Sequence, residues 1–288
     1  MGLDTRGDIS VVELVVYIPL GLVAAYLIIR PGSLRKTGWF YLMLLSIVRI
    51  VGSILHIVTE TSANPSVGLF IATAVLESAG LSPLMLSTLS FLGIVVQESP
   101  MEKTALVNYG FIGLHLTNMV ALGLATLGGI KLGNAQNQDD VNSANTFKRI
   151  GVILFLVVFV LIALVHVYFW TQKSKIMKYR RMLLAGISCA LPFLLTRVLY
   201  TVFSAASPTG IPGSATPPPT NAFSQFNYTT GSWAIYFVMS VLTEIVVVCI
   251  YLFCGMKLPL SQDYAIGKNI SGFDSDVELN KDAHQPLM

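Results

Sequence analysis

Residues 150–170, IGVILFLVVFVLIALVHVYFW, decide the fold of this chain. They contain no acidic residue, no lysine and no arginine, and His166 is their one histidine. A helix needs about 20 predominantly apolar residues to cross the hydrocarbon core of a bilayer. This stretch is long enough, so we predict that it spans a membrane.

Six other stretches have the same character, which gives predicted spans at residues 9–29, 39–59, 67–96, 107–129, 150–170, 182–204 and 233–255. The chain is 54% hydrophobic and only 11% charged, whereas soluble domains are about 25% charged. We predict an all-α membrane protein, a bundle of seven transmembrane helices over residues 9–256. Residues 1–8 form an outer segment in this scheme, and residues 257–288 form a disordered tail. Gly80 and Pro83 predict a kink in the third span.

The loop lysines and arginines lie mostly on one side of the predicted bundle. With the N-terminus outside, the inner loops hold most of them, led by the cluster at residues 173–181. Cytoplasmic loops carry such an excess in membrane proteins. We therefore predict an outside or lumenal N-terminus and a cytosolic C-terminus. Lys148 and Arg149 are the exception, because they border a span on the outer side.

The loop at residues 205–231 supports the same orientation. It contains Asn227-Tyr228-Thr229, which matches the acceptor pattern for N-glycosylation. Glycans are added only on the lumenal face, where the charge distribution also places this loop. We predict glycosylation at Asn227 and a location in the plasma membrane or the endoplasmic reticulum.

Four charged residues lie deep within the predicted spans. At 1.5 Å per residue, Arg49 and Glu77 each lie about 15 Å along their helices, and Glu244 lies about 16 Å along the seventh. Arg197 lies in the outer half of the sixth span. A charge at mid-depth costs about 2.5 kcal/mol or more, so we predict the pairs Arg49–Glu77 and Arg197–Glu244.

The embedded polar residues have two interpretations. The ion pairs can fix which helices pack together, or they can line a ligand cavity. Glu13 is shallow, and we expect it to be a wetted outer residue. The candidate cavity residues are Arg49, Ser53, Glu77, His115, Asn118, Arg197, Tyr200 and Glu244.

The chain lacks the diagnostic residues of several classes of membrane protein and enzyme. The seventh span has no lysine for a retinal Schiff base, and residues 95–100, VVQESP, lack the Asp/Glu-Arg-Tyr triplet of rhodopsin-class receptors. No P-loop, hydrolase or metal-binding motif occurs in the sequence. We therefore predict no cofactor and no metal, and the net charge of +3 is too small and scattered to indicate nucleic acid. The three cysteines are interpreted as packing residues.

Five short stretches together carry a family resemblance. They are residues 7–14 (GDISVVEL), 49–52 (RIVG), 80–84 (GLSPL), 197–200 (RVLY) and 239–244 (MSVLTE). In combination they are similar to a widespread seven-span family of filamentous fungi whose domain is of unknown function. The resemblance covers residues 7–256 and implies the architecture and a fungal source, without implying a reaction. Its organisation resembles fungal receptor-like and lipid-exporter-like seven-span proteins, without their diagnostic motifs.

The embedded residues favour a receptor-like or lipid-handling protein that binds a small amphipathic molecule between helices. Arg49 and Arg197 would hold an anion or carbonyl, while Glu77 and Glu244 would set the charge of the cavity. The basic loop at residues 173–181 is a candidate contact for anionic lipid or a cytosolic partner. The alternative is that this loop only fixes the topology.

Two other classes stay open. In an intramembrane enzyme similar to fungal terpene cyclases, Glu77 or Glu244 would donate a proton to start ring closure. The arginine near each glutamate favours the carboxylate form and opposes that role. A secondary transporter is the third possibility, although seven spans without an internal repeat do not favour it.

Overall fold

The computed structural model describes residues 4–30, 36–62, 67–97, 105–210, 221–227 and 230–258. The predicted disordered tail from residue 259 onward lies outside these residues. Within them the chain is helical and contains no strand. The α-helices are α1 Thr5–Ile29, α2 Thr37–Thr61, α3 Val67–Ala79, α4 Leu81–Val96, α5 Ala105–Gly133, α6 Gln138–Thr171, α7 Lys178–Ala206, α8 Trp233–Tyr236 and α9 Thr243–Lys257. Short 3-10 turns occur at Lys173–Lys175 and Ser224–Phe226.

Seven helical segments of the described chain are long and apolar enough to cross a membrane, which confirms the predicted number. The protein is therefore an integral, multi-pass membrane protein. The segments are Thr5–Ile29, Thr37–Thr61, Ile71–Val96, Tyr109–Gly133, Gln138–Thr171, Lys178–Ala206 and Trp233–Lys257.

The bundle has two ends, which we name by where α1 begins and ends. At the first end, where α1 begins, Arg6 Nη2 donates to Gly231 O at 2.6 Å, next to the start of α8. At the second end, where α1 ends, Gly255 of α9 lies against Trp39 and Leu27. The last helix therefore closes against the first two, and the helices enclose a shared core.

Helix α4 is the central helix of the bundle. All its residues from Leu81 to Leu92 are buried, against α2, α5 and α7. Its hydroxyl groups bond within the protein: Ser87 donates to Leu84 O at 2.7 Å, and Thr88 shares a 2.8 Å hydrogen bond with Tyr251 of α9. Buried polar groups need such partners because lipid offers none.

The third span is broken at Gly80, as the predicted kink requires. Helix α3 ends at Ala79 and α4 begins at Leu81, so Pro83 falls in the first turn of α4, where a missing N–H is tolerated. A Cβ atom at Gly80 would lie 3.0 Å from Arg49 Nη2. The glycine thus lets the arginine side chain approach the break closely.

The seventh span also departs from a regular α-helix. Phe237–Leu242 is a π-helical segment between α8 and α9. Such segments change the helical register and often occur at functional sites. Ser240 lies within this π-helical segment, and Glu244 follows two residues after its end. Both side chains are buried in the bundle.

Helix α6 contains the predicted span at residues 150–170 and extends beyond it at its start. It begins at Gln138, where Asn137 and Asp140 form a capping box. The cap satisfies backbone N–H groups that would otherwise lack partners at the helix start. Apolar length detects only the membrane-crossing part of a helix, so it missed this polar extension.

Helices α5 and α6 pack closely through glycines. A Cβ atom at Gly151 of α6 would lie 2.7 Å from Ala121 O and from Ala125 N of α5. A Cβ atom at Gly128 of α5 would lie 2.6 Å from Lys148 N. Small residues let membrane helices approach to backbone contact, which favours van der Waals packing in lipid.

Candidate functional site

Five embedded charged residues meet between α1, α2, α3, α7 and α9. We call them the charge cluster, and Arg49 of α2 lies at its centre. Its Nε and Nη2 atoms donate to Glu244 Oε1 and Oε2, each at 2.5 Å. Glu244 is fully buried and Arg49 is 3% exposed. Two parallel hydrogen bonds of this kind fix both side chains in orientation as well as position. The cluster comprises Glu13, Arg49, Glu77, Arg197 and Glu244.

Arg49 also contacts the two other carboxylates. Its Nη1 atom donates to Glu77 Oε2, which is the pair predicted from depth. The same nitrogen lies 3.9 Å from Glu13 Oε1. One guanidinium group therefore serves carboxylates from three helices, α1, α3 and α9.

Arg197 of α7 completes the cluster. Its Nε atom donates to Glu244 Oε2 at 3.2 Å, the second predicted pair, and its Nη2 atom lies 3.6 Å from Glu77 Oε1. Nη1 donates to Thr201 Oγ1 at 3.1 Å. The nitrogens of both arginines thus face partners inside the bundle. That they hold an anion or carbonyl group of a ligand stays a prediction.

Hydroxyl groups satisfy several of the remaining carboxylate lone pairs. Tyr17 donates to Glu244 Oε1 at 2.8 Å, and Ser240 of the π-helical segment donates to Glu77 Oε1 at 3.3 Å. Ser53, one of the predicted site residues, donates to Glu13 Oε2 at 3.2 Å. The cluster is therefore a connected network, because a buried charge without partners is costly in lipid.

The charges of this network do not balance. It contains three carboxylates and two guanidinium groups. Glu77 and Glu244 each contact both arginines, whereas Glu13 approaches Arg49 alone. Glu13 Oε1 is buried and accepts no hydrogen bond within the described structure. Glu13 is therefore the carboxyl group with the weakest link to an arginine.

A narrow cleft reaches the cluster between α1, α2, α3 and α8. Its lining includes Ser10, Glu13, Ser53, Thr73 and Glu77. The cavity volume is about 10 Å³, measured as the space open to the centre of a water molecule. That is room for about one water, so a small polar group fits, while a whole drug-sized ligand needs several hundred Å³.

Three of the predicted site residues lie outside both the charge cluster and the cleft lining. His115 Nδ1 of α5 lies 2.8 Å from Phe111 O, and Asn118 donates to Ser82 Oγ at 2.7 Å. Tyr200 lies under the guanidinium group of Arg197, which is 5.9 Å from the ring centroid. The structure thus joins Arg49, Ser53, Glu77, Arg197 and Glu244, and it separates His115 and Asn118 from them.

The sequence interpretation did not place Glu13 or Tyr17 in this network. Glu13 is 4% exposed, so the expectation of a wetted outer residue is wrong. A signal was present: Ser10, Glu13 and Tyr17 follow each other at helical spacing, which places them on one face of α1. A polar stripe on one helix face indicates burial against other helices, whereas the depth of one residue does not.

Two further predictions concern the loops. Asn227 is 7% exposed, and its Nδ2 atom, where a glycan would attach, donates to Pro208 O at 3.0 Å. In the basic loop at residues 173–181, Lys173, Lys178 and Arg181 are exposed, whereas Arg180 is buried. Arg180 is thus not part of any surface that this loop offers.

Fold and site define a multi-pass membrane protein, helical throughout its described spans, with a buried ionic network that a narrow cleft reaches. The chain belongs to the family described as Domain of unknown function (DUF7702), whose model matches residues 3–261. That stretch contains all seven spans and the whole charge cluster. Searches of curated proteins and of solved structures found no significant match.

Proposed function

We propose that this protein is a receptor-like or lipid-handling membrane protein that binds a small amphipathic molecule. The polar head of the ligand enters the cleft beside Glu13 and Ser53, and its apolar part stays among the lipid-facing side chains. The supporting observation is the cleft itself, which leads from the bundle surface to the charge cluster. A polar path to buried charges is typical of ligand and ion sites in membrane proteins.

Thr73 allows this proposal to be tested. It lines the cleft, is 6% exposed, and its hydroxyl donates to Leu69 O one turn earlier at 2.9 Å. Thr73→Leu removes that hydroxyl and adds an apolar branch where the head of a ligand would lie. Thr196→Leu is a matched control, because Thr196 makes the same kind of bond, to Pro192 O at 3.0 Å, and does not line the cleft.

The experiment measures thermal unfolding of the full chain in lipid nanodiscs with octylamine, octanol or octanoate added below micelle-forming concentrations. We expect at least one probe to raise the melting temperature of wild type and of Thr196→Leu, and to leave Thr73→Leu unchanged. A ligand that binds only the folded state stabilises it by RT ln(1 + c/Kd), where c is the free ligand concentration, so the melting temperature rises with ligand concentration. If all three proteins respond alike to every probe, the cleft is not a ligand site.

The cyclase-like alternative receives less support from the geometry. A proton-donating acid must be protonated and must face its substrate. Glu244 is held by Arg49, Arg197 and Tyr17 and is fully buried. Glu77 contacts both arginines as well. Replacing either glutamate with glutamine would therefore break ion pairs with the arginines, so a loss of activity would not identify that glutamate as a proton donor.

The proposal includes the orientation of the protein. The first end faces outside or the lumen, with glycosylation at Asn227 during synthesis, before the loop packs, and the tail is cytosolic. The membrane is the plasma membrane or the endoplasmic reticulum of a fungal cell, the source that the sequence resemblance implies. On the cytosolic side, Lys173, Lys178 and Arg181 contact anionic lipid headgroups or a cytosolic partner.

A further inference from the structure

We propose that the cleft binds a primary ammonium group and that the ligand is a small amphipathic amine with Glu13 as its counter-ion. This inference rests on the proposed function, because it assigns the chemical class of the ligand head. Three features carry it: the excess of carboxyl groups over guanidinium groups, the Glu13 oxygen that accepts no hydrogen bond, and the size of the cleft.

The charges that surround the cleft favour a cation. Its lining contributes Glu13 from α1, Arg49 and His56 from α2, and Glu77 from α3. The charge cluster adds Arg197 of α7 and Glu244 of α9, which contact these residues without lining the cleft. One carboxylate remains without a guanidinium of its own. With Glu13 ionised, a bound ammonium ion makes the site neutral, while a carboxylate or phosphate head would add negative charge beside three buried carboxyl groups.

Glu13 is the member of the cluster that has the capacity for a new partner. It is 4% exposed and lines the cleft, and its Oε1 atom accepts no hydrogen bond from the described residues. Its other oxygen accepts from Ser53 at 3.2 Å. Arg49 Nη1, at 3.9 Å, is beyond hydrogen-bond distance. An ammonium group would give Oε1 the charge-assisted hydrogen bond that it lacks.

The cleft also presents further acceptors. The Ser10 hydroxyl donates to Arg6 O at 3.2 Å, and the Thr73 hydroxyl donates to Leu69 O at 2.9 Å. Each hydroxyl donates its hydrogen to a backbone carbonyl, so its oxygen can still accept a hydrogen bond from a ligand. His56 lines the cleft as well, and its Nδ1 atom lies 3.5 Å from Glu60 Oε1. A head with several N–H groups suits this lining.

Size then separates primary from quaternary amines. The cleft has room for about one water molecule. A primary ammonium group is about that size and donates three hydrogen bonds, whereas a trimethylammonium group is larger and donates none. We therefore expect octylamine to bind and octyltrimethylammonium not to bind, although both carry the same charge on the same chain.

The test measures the affinity of the full chain in nanodiscs for octylamine, octyltrimethylammonium, octanol and octanoate. We expect the Kd for octylamine to be at least about tenfold lower than for the other three, since one charge-assisted hydrogen bond accounts for that ratio. Equal affinity for octylamine and octyltrimethylammonium would overturn the proposal, because charge alone would then explain binding.

Glu13→Gln provides the second measurement. It keeps the size of the side chain and removes its charge, so we expect octylamine affinity to fall about tenfold or more. Asp8→Asn is the matched control, an acid-to-amide change at an exposed position on the same helix, and it should bind octylamine as wild type does. Unchanged affinity in Glu13→Gln would show that Glu13 is not the counter-ion.

The outcomes separate this inference from the proposed function. If octanol or octanoate binds as tightly as octylamine and Thr73→Leu abolishes that binding, the ammonium assignment fails while the ligand site stands. If no probe distinguishes wild type from Thr73→Leu, both fail. Should Glu13→Gln not fold, the comparison of octylamine with octyltrimethylammonium on wild type still decides the assignment.

Discussion

Arg49 shows how one residue organises the interior of this protein. It contacts carboxylates from α1, α3 and α9 from a position on α2, and it is 3% exposed. In a soluble protein, water would solvate part of these charges. In hydrocarbon the partners must come from the bundle itself. The stability of the bundle therefore depends on this side chain more than its size suggests.

Arg49→Leu should lower the free energy of unfolding by about 3–5 kcal/mol, because it leaves buried carboxylates uncompensated. The double variant Arg49→Leu/Glu244→Leu removes the main partner too and should recover most of the loss. Melting temperatures from fluorescence-detected gel filtration measure both. Arg149→Leu, at an exposed position, is the control. A single Arg49→Leu variant as stable as wild type would contradict a shared buried network.

Gly80→Ala should destabilise the protein by about 1–3 kcal/mol through overpacking. The added Cβ atom would lie 3.0 Å from Arg49 Nη2 and 3.1 Å from Nε, and the ion pairs hold this guanidinium group in place. Gly113→Ala is the matched control, since no atom lies within 4 Å of its added Cβ; it should be neutral or stabilising. Thermal unfolding in detergent compares them, and equal melting temperatures would argue against the close approach at Gly80.

At the scale of elements, the breaks and irregular turns lie next to the charge cluster. The third span is interrupted at Gly80, beside Arg49, and the seventh contains the π-helical segment Phe237–Leu242, just before Glu244. Elsewhere α5 and α6 are long, regular helices in close contact. The two irregular spans therefore contribute Glu77 and Glu244 to the charge cluster, and the regular pair α5 and α6 contributes no member of it.

Gly151→Ala should weaken the contact between α5 and α6. The new Cβ atom would lie 2.7 Å from Ala121 O and from Ala125 N, and these backbone atoms cannot move unless the helices separate. We expect a lower melting temperature, by an amount equivalent to about 1–3 kcal/mol. Gly123→Ala on α5 has no atom within 4 Å of its added Cβ and should not lower the melting temperature. An equal fall in the melting temperature of both variants would contradict the packing explanation, because only Gly151 lies against a neighbouring helix.

Asn137→Ala should loosen only the polar start of α6. The Asn137 side chain accepts from the backbone N–H of Asp140, and the Asp140 side chain accepts from the backbone N–H of Asn137. Loss of such a cap costs about 1 kcal/mol. Hydrogen exchange should become faster at residues 138–149 and stay unchanged in the apolar part of the helix. Asn142→Ala, at an exposed position in the same extension, is the control. Faster exchange throughout α6 would mean that the extension and the span unfold together.

At the scale of the whole molecule, the seven spans pack into one bundle, so fixing the orientation of one span in the membrane fixes that of all the others. Arg6 of α1 contacts Gly231 beside α8 at the first end, so the N-terminus and the loop with Asn227 lie on the same side. A measurement on that loop therefore reports the orientation of the entire protein.

Thr229→Ala tests this orientation. It removes the glycosylation pattern and leaves Asn227 in place, with its bond to Pro208 O. We expect an endoglycosidase to shift the gel mobility of wild type and not of Thr229→Ala. Thr230→Ala, which leaves the Asn227-Tyr228-Thr229 pattern intact, should shift as wild type does. A wild-type band that the enzyme leaves unchanged would contradict glycosylation at Asn227.

Much of the architecture could be predicted because apolar length is a local property of the sequence. Residues 150–170 indicate a span on their own, and depth along the helices was sufficient to match Arg49 with Glu77 and Arg197 with Glu244. The polar extension of α6 was missed, because it lies outside the apolar stretch. His115 and Asn118 share a face of α5, yet the spacing did not show that Asn118 contacts α4.

The amino-acid sequence by itself determined the class of the protein, its seven spans and the need for its embedded charges to meet, since each follows from the cost of placing polar groups in hydrocarbon. Only the tertiary structure decided that Glu13 and Tyr17 join them, that both arginines share Glu77 and Glu244, and that one carboxylate oxygen remains available in a cleft. Those facts depend on how every helix is rotated about its own axis. Rotation is set by packing between all neighbouring helices at once, and no single stretch of sequence specifies it.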